Sequence, residues 1–162
     1  MRSVKGCVLS EKQNLNCSGR TMHKMTNIEL FNGITGKLFA QLYEKFPVEQ
    51  EIKLSAFLGD FIDPDDFDGA WDFSDITEAT IKWLDRAGYI WLKAPEYYGG
   101  EYSATLTPKG LEIMKATPDS IESTSSIGEK IIAFSKGQFG EGMNQIVKTA
   151  ITEGFKFALQ TT

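Results

Sequence analysis

Seven aspartates crowd the run DFIDPDDFDGAWDFSD, residues 60–75, and carboxylates at that density invite a hard cation. Asp63, Asp65 and the Asp68-Gly69 pair look superficially like a calcium loop. The spacing fails. With Asp63 first, the sixth position is Asp68 where a glycine should turn the loop, and the twelfth is Ser74 where a bidentate Glu should sit. Pro64 also stiffens the stretch. The residues support an acidic loop anchored by Phe61, Phe67, Trp71 and Phe73, and no metal is expected there. His23, the single histidine, has no partner residues near it in sequence. Cys7 and Cys17 read as reduced, exposed thiols of a cytoplasmic protein, with no ligand pair to complete a metal site. No G-x-S-x-G, phosphate loop, H-E-x-x-H or dinucleotide fingerprint occurs. The chain is therefore expected to be no enzyme and to carry no cofactor.

Charge bears more directly on function. The formal net charge is -5, unevenly spread. Residues 1–25 hold Arg2, Lys5, Lys12, Arg20 and Lys24 against Glu11 alone, while residues 26–117 hold 8 basic residues against 16 acidic ones. An acidic body repels a phosphate backbone. No apolar run follows Arg2 and Lys5 as in a secretory signal, and no stretch is long enough to span a membrane.

These side chains need elements to hold them. Residues 1–25 are polar and without periodicity, and are expected to form a disordered tail. Thr26 and Glu29 make a capping box, after which Phe31, Ile34, Leu38, Leu42 and Phe46 mark a helical stripe ending before Pro47. Gly33 and Gly36 predict a bend or a late start. Glu51–Ser55 reads as a short strand and Ala56–Phe61 as a second helix, with the aspartate run inserted after it. Asp75 and Glu78 make another capping box, and Ile76, Thr80, Trp83, Leu84 and Ala87 share one face of the helix they open. Trp83 and Leu84 are expected to face the core beside Phe39 or Leu42. Gly88 stops that helix. Tyr89–Lys93 and Tyr102–Thr107 read as strands flanking Gly99 and Gly100. Thr107 caps the next helix with Pro108 at its first position.

This order, with the phrases WLDRAGYI and LTPKGLEIM, resembles the winged helix-turn-helix superfamily over residues 26–117. The resemblance implies a mainly α fold with a small β-hairpin wing and a third helix presented to solvent. Many winged helices are DNA-binding transcriptional regulators, which makes that the alternative reading. In it, Lys82 and Arg86 on the third helix and Lys93 on the wing would meet nucleic acid. Glu78 and Asp85 share that helix, and with Thr77 they are expected on its solvent face. The wing carries Tyr97 and Tyr98 between Glu96 and Glu101, which suits a protein interface or a hairpin packing pair more than phosphate.

Thr117–Ser126 is a Ser/Thr-rich linker with Pro118, and residues 118–126 are taken as the boundary. Ser126 and Glu129 form a third capping box. From Met143 onward, Ile146, Val147, Ala150, Ile151, Gly154, Phe155 and Ala158 share one face, opposite Asn144, Gln145, Lys148, Thr149, Thr152, Glu153 and Lys156. This is an amphipathic helical extension, residues 127–160. The stripe can fold back on its own domain or pair with a second copy. The linker and the small residues Ala150, Gly154 and Ala158 favour a homo-oligomer. The polar face, with Lys148 and Lys156 against Glu141 and Glu153, is poor for anionic lipid. The expected function is a non-enzymatic winged-helix interaction module, self-associating through Met143, Val147, Ala150, Gly154 and Ala158, with Tyr97 and Tyr98 as further partner contacts.

Overall fold

The computed structural model describes residues 25–58, 61, 67–95, 101–117, 125–136 and 141–160. Its first helix, α1 (Asn27–Lys45), begins at the expected capping box: the Glu29 backbone N–H donates to Thr26 Oγ1 at 3.3 Å, and the Thr26 N–H donates to Glu29 Oε2 at 2.7 Å. The helix does not start late at its glycines. Gly33 and Gly36 are both buried within it, and Gly36 lies under the Met143 side chain. Packing against that neighbour offsets the roughly 1 kcal/mol helix cost of a glycine.

A short strand, β1 (Gln50–Ile52), and one turn of helix, α2 (Ser55–Leu58), follow. The next helix, α3 (Phe67–Arg86), differs from expectation at its start. Asp75 is not its cap but an exposed residue inside it. The buried positions Phe73, Thr77, Ile81 and Leu84 run upstream at three- and four-residue spacing, and Phe73 stacks on Phe61 with ring centroids 5.3 Å apart. That contact extends the stripe past the local capping signal, so the second half of the aspartate run is helix. Thr77 Oγ1 donates to the Phe73 carbonyl at 2.8 Å, and the Leu92 N–H donates to Asp85 Oδ1 at 3.0 Å. Thr77 and Asp85 therefore do not belong to the solvent face that the spacing predicts for them.

Gly88 ends α3 as expected. Its φ is +74°, its N–H donates to the Asp85 carbonyl at 2.9 Å, and the Tyr89 N–H reaches back to Leu84 at 2.9 Å. This is the paired hydrogen bonding of a Schellman stop, which a residue with a Cβ makes only under strain. Two strands, β2 (Ile90–Lys93) and β3 (Tyr102–Leu106), then pair antiparallel, and β1 joins the far side of β3, giving the order β1-β3-β2. Thr107 caps α4 (Pro108–Lys115): it accepts from the Gly110 N–H at 3.0 Å and donates to the Gly88 carbonyl at 2.7 Å. The architecture is mainly helical with a small three-stranded antiparallel sheet.

The last two helices, α5 (Ile127–Ser135) and α6 (Glu141–Gln160), do not stand apart. The ends of the linker are tied together, the Ile127 N–H donating to the Ala116 carbonyl at 2.9 Å. Both helices pack on α1 and α4 and on each other. Ile127, Ile131, Met143, Ile146, Val147 and Ala150 join one core with Ile34, Leu38, Leu42, Leu84, Tyr89 and Leu106. Among the described residues no helix is long and apolar enough to cross a membrane.

Candidate functional site

The stripe assigned to self-association has found its partner inside the chain. Met143, Val147 and Ala150 are buried, and Gly154 is buried against Tyr89 and Ile113. A methyl at Gly154 would meet Tyr89 Cε1 at 2.6 Å and Ile113 Cδ1 at 2.9 Å. The small residue does permit a close approach, but to an aromatic ring of its own fold and not to a second helix. These four residues are therefore unavailable as partner contacts in this fold. The side chain of Ala158 lies outside the described residues, as do Tyr97 and Tyr98.

The apolar face of α6 continues past the core. Half-buried Ile151 and exposed Phe155 form one wall of a groove of about 510 Å³. Ile76, Ala79, Thr80 and Trp83 of α3 form the opposite wall, and Asn27, Ile28 and Phe31 at the start of α1 close one end. Large apolar side chains line it in the open: Ile28 is 63% exposed, Phe155 55% and Trp83 39%. Trp83 is thus a wall and not the core residue its spacing suggested. Successive helix positions point about 100° apart, so Leu84, wholly buried, takes the core and its neighbour takes the rim.

The walls are held from behind. The Trp83 ring meets Phe31 edge-to-face at 5.2 Å and stacks on Tyr89 at 6.2 Å. The Tyr89 hydroxyl donates to the Ile151 carbonyl at 3.1 Å, and burial pushes the phenol pKa up. Lys109 Nζ lies 4.4 Å above the Tyr89 ring and donates to the Ala87 carbonyl at 2.8 Å, a cation at the α3 C-terminus where the helix dipole favours one. Thr80 turns its hydroxyl to the Ile76 carbonyl at 2.7 Å. The lining includes no titratable side chain. It is suited to bury apolar surface and offers no acid, base or nucleophile.

The residues of the nucleic-acid alternative are scattered in chemistry. Lys82 Nζ lies 2.6 Å from Glu78 Oε1, and the Tyr102 hydroxyl donates to the same oxygen at 2.6 Å. The hydrogen bond from Lys82, then that from Tyr102, holds the Glu78 carboxyl below its ordinary pKa; the same contacts raise Lys82 and Tyr102. Lys82 therefore stays charged, but it is paired with a carboxylate on the face where it would have to meet phosphate. Arg86 and Lys93 are exposed at the ends of α3 and β2. Of the aspartate run, Asp72 and Asp75 are exposed on α3, and Asp60, Asp63, Asp65 and Asp66 lie outside the described residues. Among the described residues no group of three His, Cys, Asp or Glu side chains is placed to hold a metal.

Sequence reasoning missed the groove. Its signal was an excess of apolar residues beyond what one core face can take: Ile28 ahead of the α1 stripe, Trp83 next to Leu84, and Phe155 one turn beyond Ile151. Comparison with family models, with curated proteins and with solved structures finds no match to this chain.

Proposed function

We propose that the chain is a non-enzymatic winged-helix interaction module that takes an apolar segment of a protein partner into the α1–α3–α6 groove. The winged-helix reading is supported by the element order α1-β1-α2-α3-β2-β3 with β3 central in the sheet. The docking reading rests on one observation, the cluster of Ile28, Trp83 and Phe155 left open to water around a preformed apolar groove. Contiguous exposed apolar surface of this kind marks interaction sites. Helix-in-groove recognition uses such a surface, with anchors one turn apart on the guest. Self-association loses most of its support with Met143, Val147, Ala150 and Gly154 buried; what remains of it is a second copy seated in this groove. The DNA-regulator alternative draws on exposed Arg86 and Lys93, but Lys82 is committed to Glu78 and the body is acidic.

The test compares the full chain with its Ile28→Glu/Phe155→Glu variant. Both side chains are exposed, so the variant should melt like the parent. A partner cross-linked in cells to the parent should be lost from the variant, and duplex DNA in physiological salt should bind neither at better than about micromolar affinity. Partner recovery indifferent to both charges, or nanomolar duplex binding lost on Arg86→Ala, would overturn the reading.

A further inference from the structure

We propose that the guest of the groove is an amphipathic helix of a partner protein, acidic at its N-terminal end and basic at its C-terminal end, lying antiparallel to α3. This partner rests on the docking reading above and adds to it a charge order and a direction. On a helix, positions three and four apart stand one above the other. Asp72 therefore stands one turn before the wall residue Ile76, Asp75 one turn before Ala79, and Arg86 one turn beyond Trp83. The α3 wall reads acid, apolar, base over a rise of about 21 Å, at about 1.5 Å per residue. The α6 wall agrees with it. The Tyr89 hydroxyl, just past the end of α3, reaches the Ile151 carbonyl at 3.1 Å, which places Ile151 at the Trp83 end of the groove. Phe155 continues that wall inward, so Lys148, one turn before Ile151, stands at the basic end.

None of these four charges is used inside the fold. Asp72, Asp75, Arg86 and Lys148 are exposed, and among the described residues none takes part in an ion pair. Glu78 and Lys82, between them on α3, are paired with each other. Asp72 and Asp75 cap nothing. Both lie within α3 beyond its first turn, where the helix dipole no longer favours an acid. As like charges one turn apart they weaken the helix slightly. Bases on a guest offset that repulsion, and acids on the guest meet Arg86 and Lys148 at the other end. Every helix favours acids in its first turn and bases in its last. The guest's N-terminus therefore lies at the Trp83 end and its C-terminus at the Ile76 end. The apolar stripes of the long helices α1, α3 and α6 are folded into the core, so among the described residues a second copy has no such helix to offer.

The test selects guests without presupposing their sequence. Random peptides long enough to span the groove as a helix are displayed against the full chain, and those that also bind Ile28→Glu/Phe155→Glu are discarded. The remaining binders should carry apolar residues one turn apart, with acids before them and Arg or Lys after them. Exposed ion pairs each contribute little, so Asp72→Lys/Asp75→Lys should weaken these peptides about five- to tenfold at low salt. It should strengthen synthetic versions whose two charged ends are exchanged, and both effects should shrink at high salt. Groove-dependent binders with no charge order, or with the opposite one, overturn the proposal and leave the docking reading standing. So does a charge reversal that weakens both versions alike. If no peptide distinguishes the parent from Ile28→Glu/Phe155→Glu, the docking reading itself falls and the proposal with it. Sedimentation of the full chain closes the remaining case: a dimer that dissociates on Ile28→Glu/Phe155→Glu assigns the groove to a second copy and overturns the proposal alone.

Discussion

Replacing Gly154 by alanine separates a helix that packs on its own domain from one kept for a partner. On a solvated helix face, Gly→Ala stabilises by about 1 kcal/mol through helix propensity. Here the added methyl would press on Tyr89 Cε1 at 2.6 Å and Ile113 Cδ1 at 2.9 Å. Overpacking of this kind costs about 1–3 kcal/mol. A shifted Tyr89 ring would also strain its hydroxyl's hydrogen bond to the Ile151 carbonyl, worth about 1 kcal/mol. The costs exceed the gain, so Gly154→Ala should be destabilising by about 1–3 kcal/mol. At this chain length each kcal/mol shifts Tm by about 2–4 °C. Denaturant and thermal melts at two protein concentrations read the effect. In a Tyr89→Leu background, which removes the ring, the methyl's penalty should shrink, a coupling of about 0.5–3 kcal/mol. The reasoning fails if Gly154→Ala raises Tm, which would place Gly154 in open solvent. It fails differently if the loss depends on protein concentration, which would put the crossing between copies.

Two further outcomes follow from the same packing. A chain ending after Thr117 loses the buried side chains of Ile127, Ile131, Met143, Ile146 and Val147. At about 1.5–3 kcal/mol each, their burial is comparable with a whole domain's stability of about 5–15 kcal/mol, so circular dichroism should show no cooperative unfolding transition; a folded monomer would show α5 and α6 to be dispensable. Glu78→Gln should weaken the fold slightly at neutral pH. The Glu78 carboxyl is lowered in the folded state, so its contribution is present above the unfolded carboxylate pKa and fades as pH falls through the folded one. Parent and variant melts should therefore converge on acidification, and the Tyr102 phenol, raised mainly by its bond to Glu78, should titrate lower in the variant by ultraviolet absorbance. A gap that persists at acid pH would refute the ion-pair account.

What could be read from the sequence was local. The Thr26–Glu29 and Ser126–Glu129 boxes, the Thr107 cap with Pro108, and the Gly88 stop all stand where the residues put them, because each motif closes within a few residues of itself. Errors began where a local motif competed with a distant contact. Asp75 and Glu78 satisfy the wording of a capping box, yet the Phe61–Phe73 stack carries α3 past them. Gly36 reads as a helix breaker until Met143 is set against it. The larger error has the same origin. An amphipathic stripe states that a face will be buried and says nothing of what buries it, and a small residue such as Gly154 announces a close approach without naming the neighbour. Tyr89 lies far from Gly154 in sequence, and only the fold brings them together. The groove was hidden for a complementary reason. Trp83 and Phe155 each belong to a stripe that has a core to fill, so each reads as a core residue, and Ile28 lies just ahead of the α1 stripe and draws no reading of its own. They become a site only once the core is seen to be full without them.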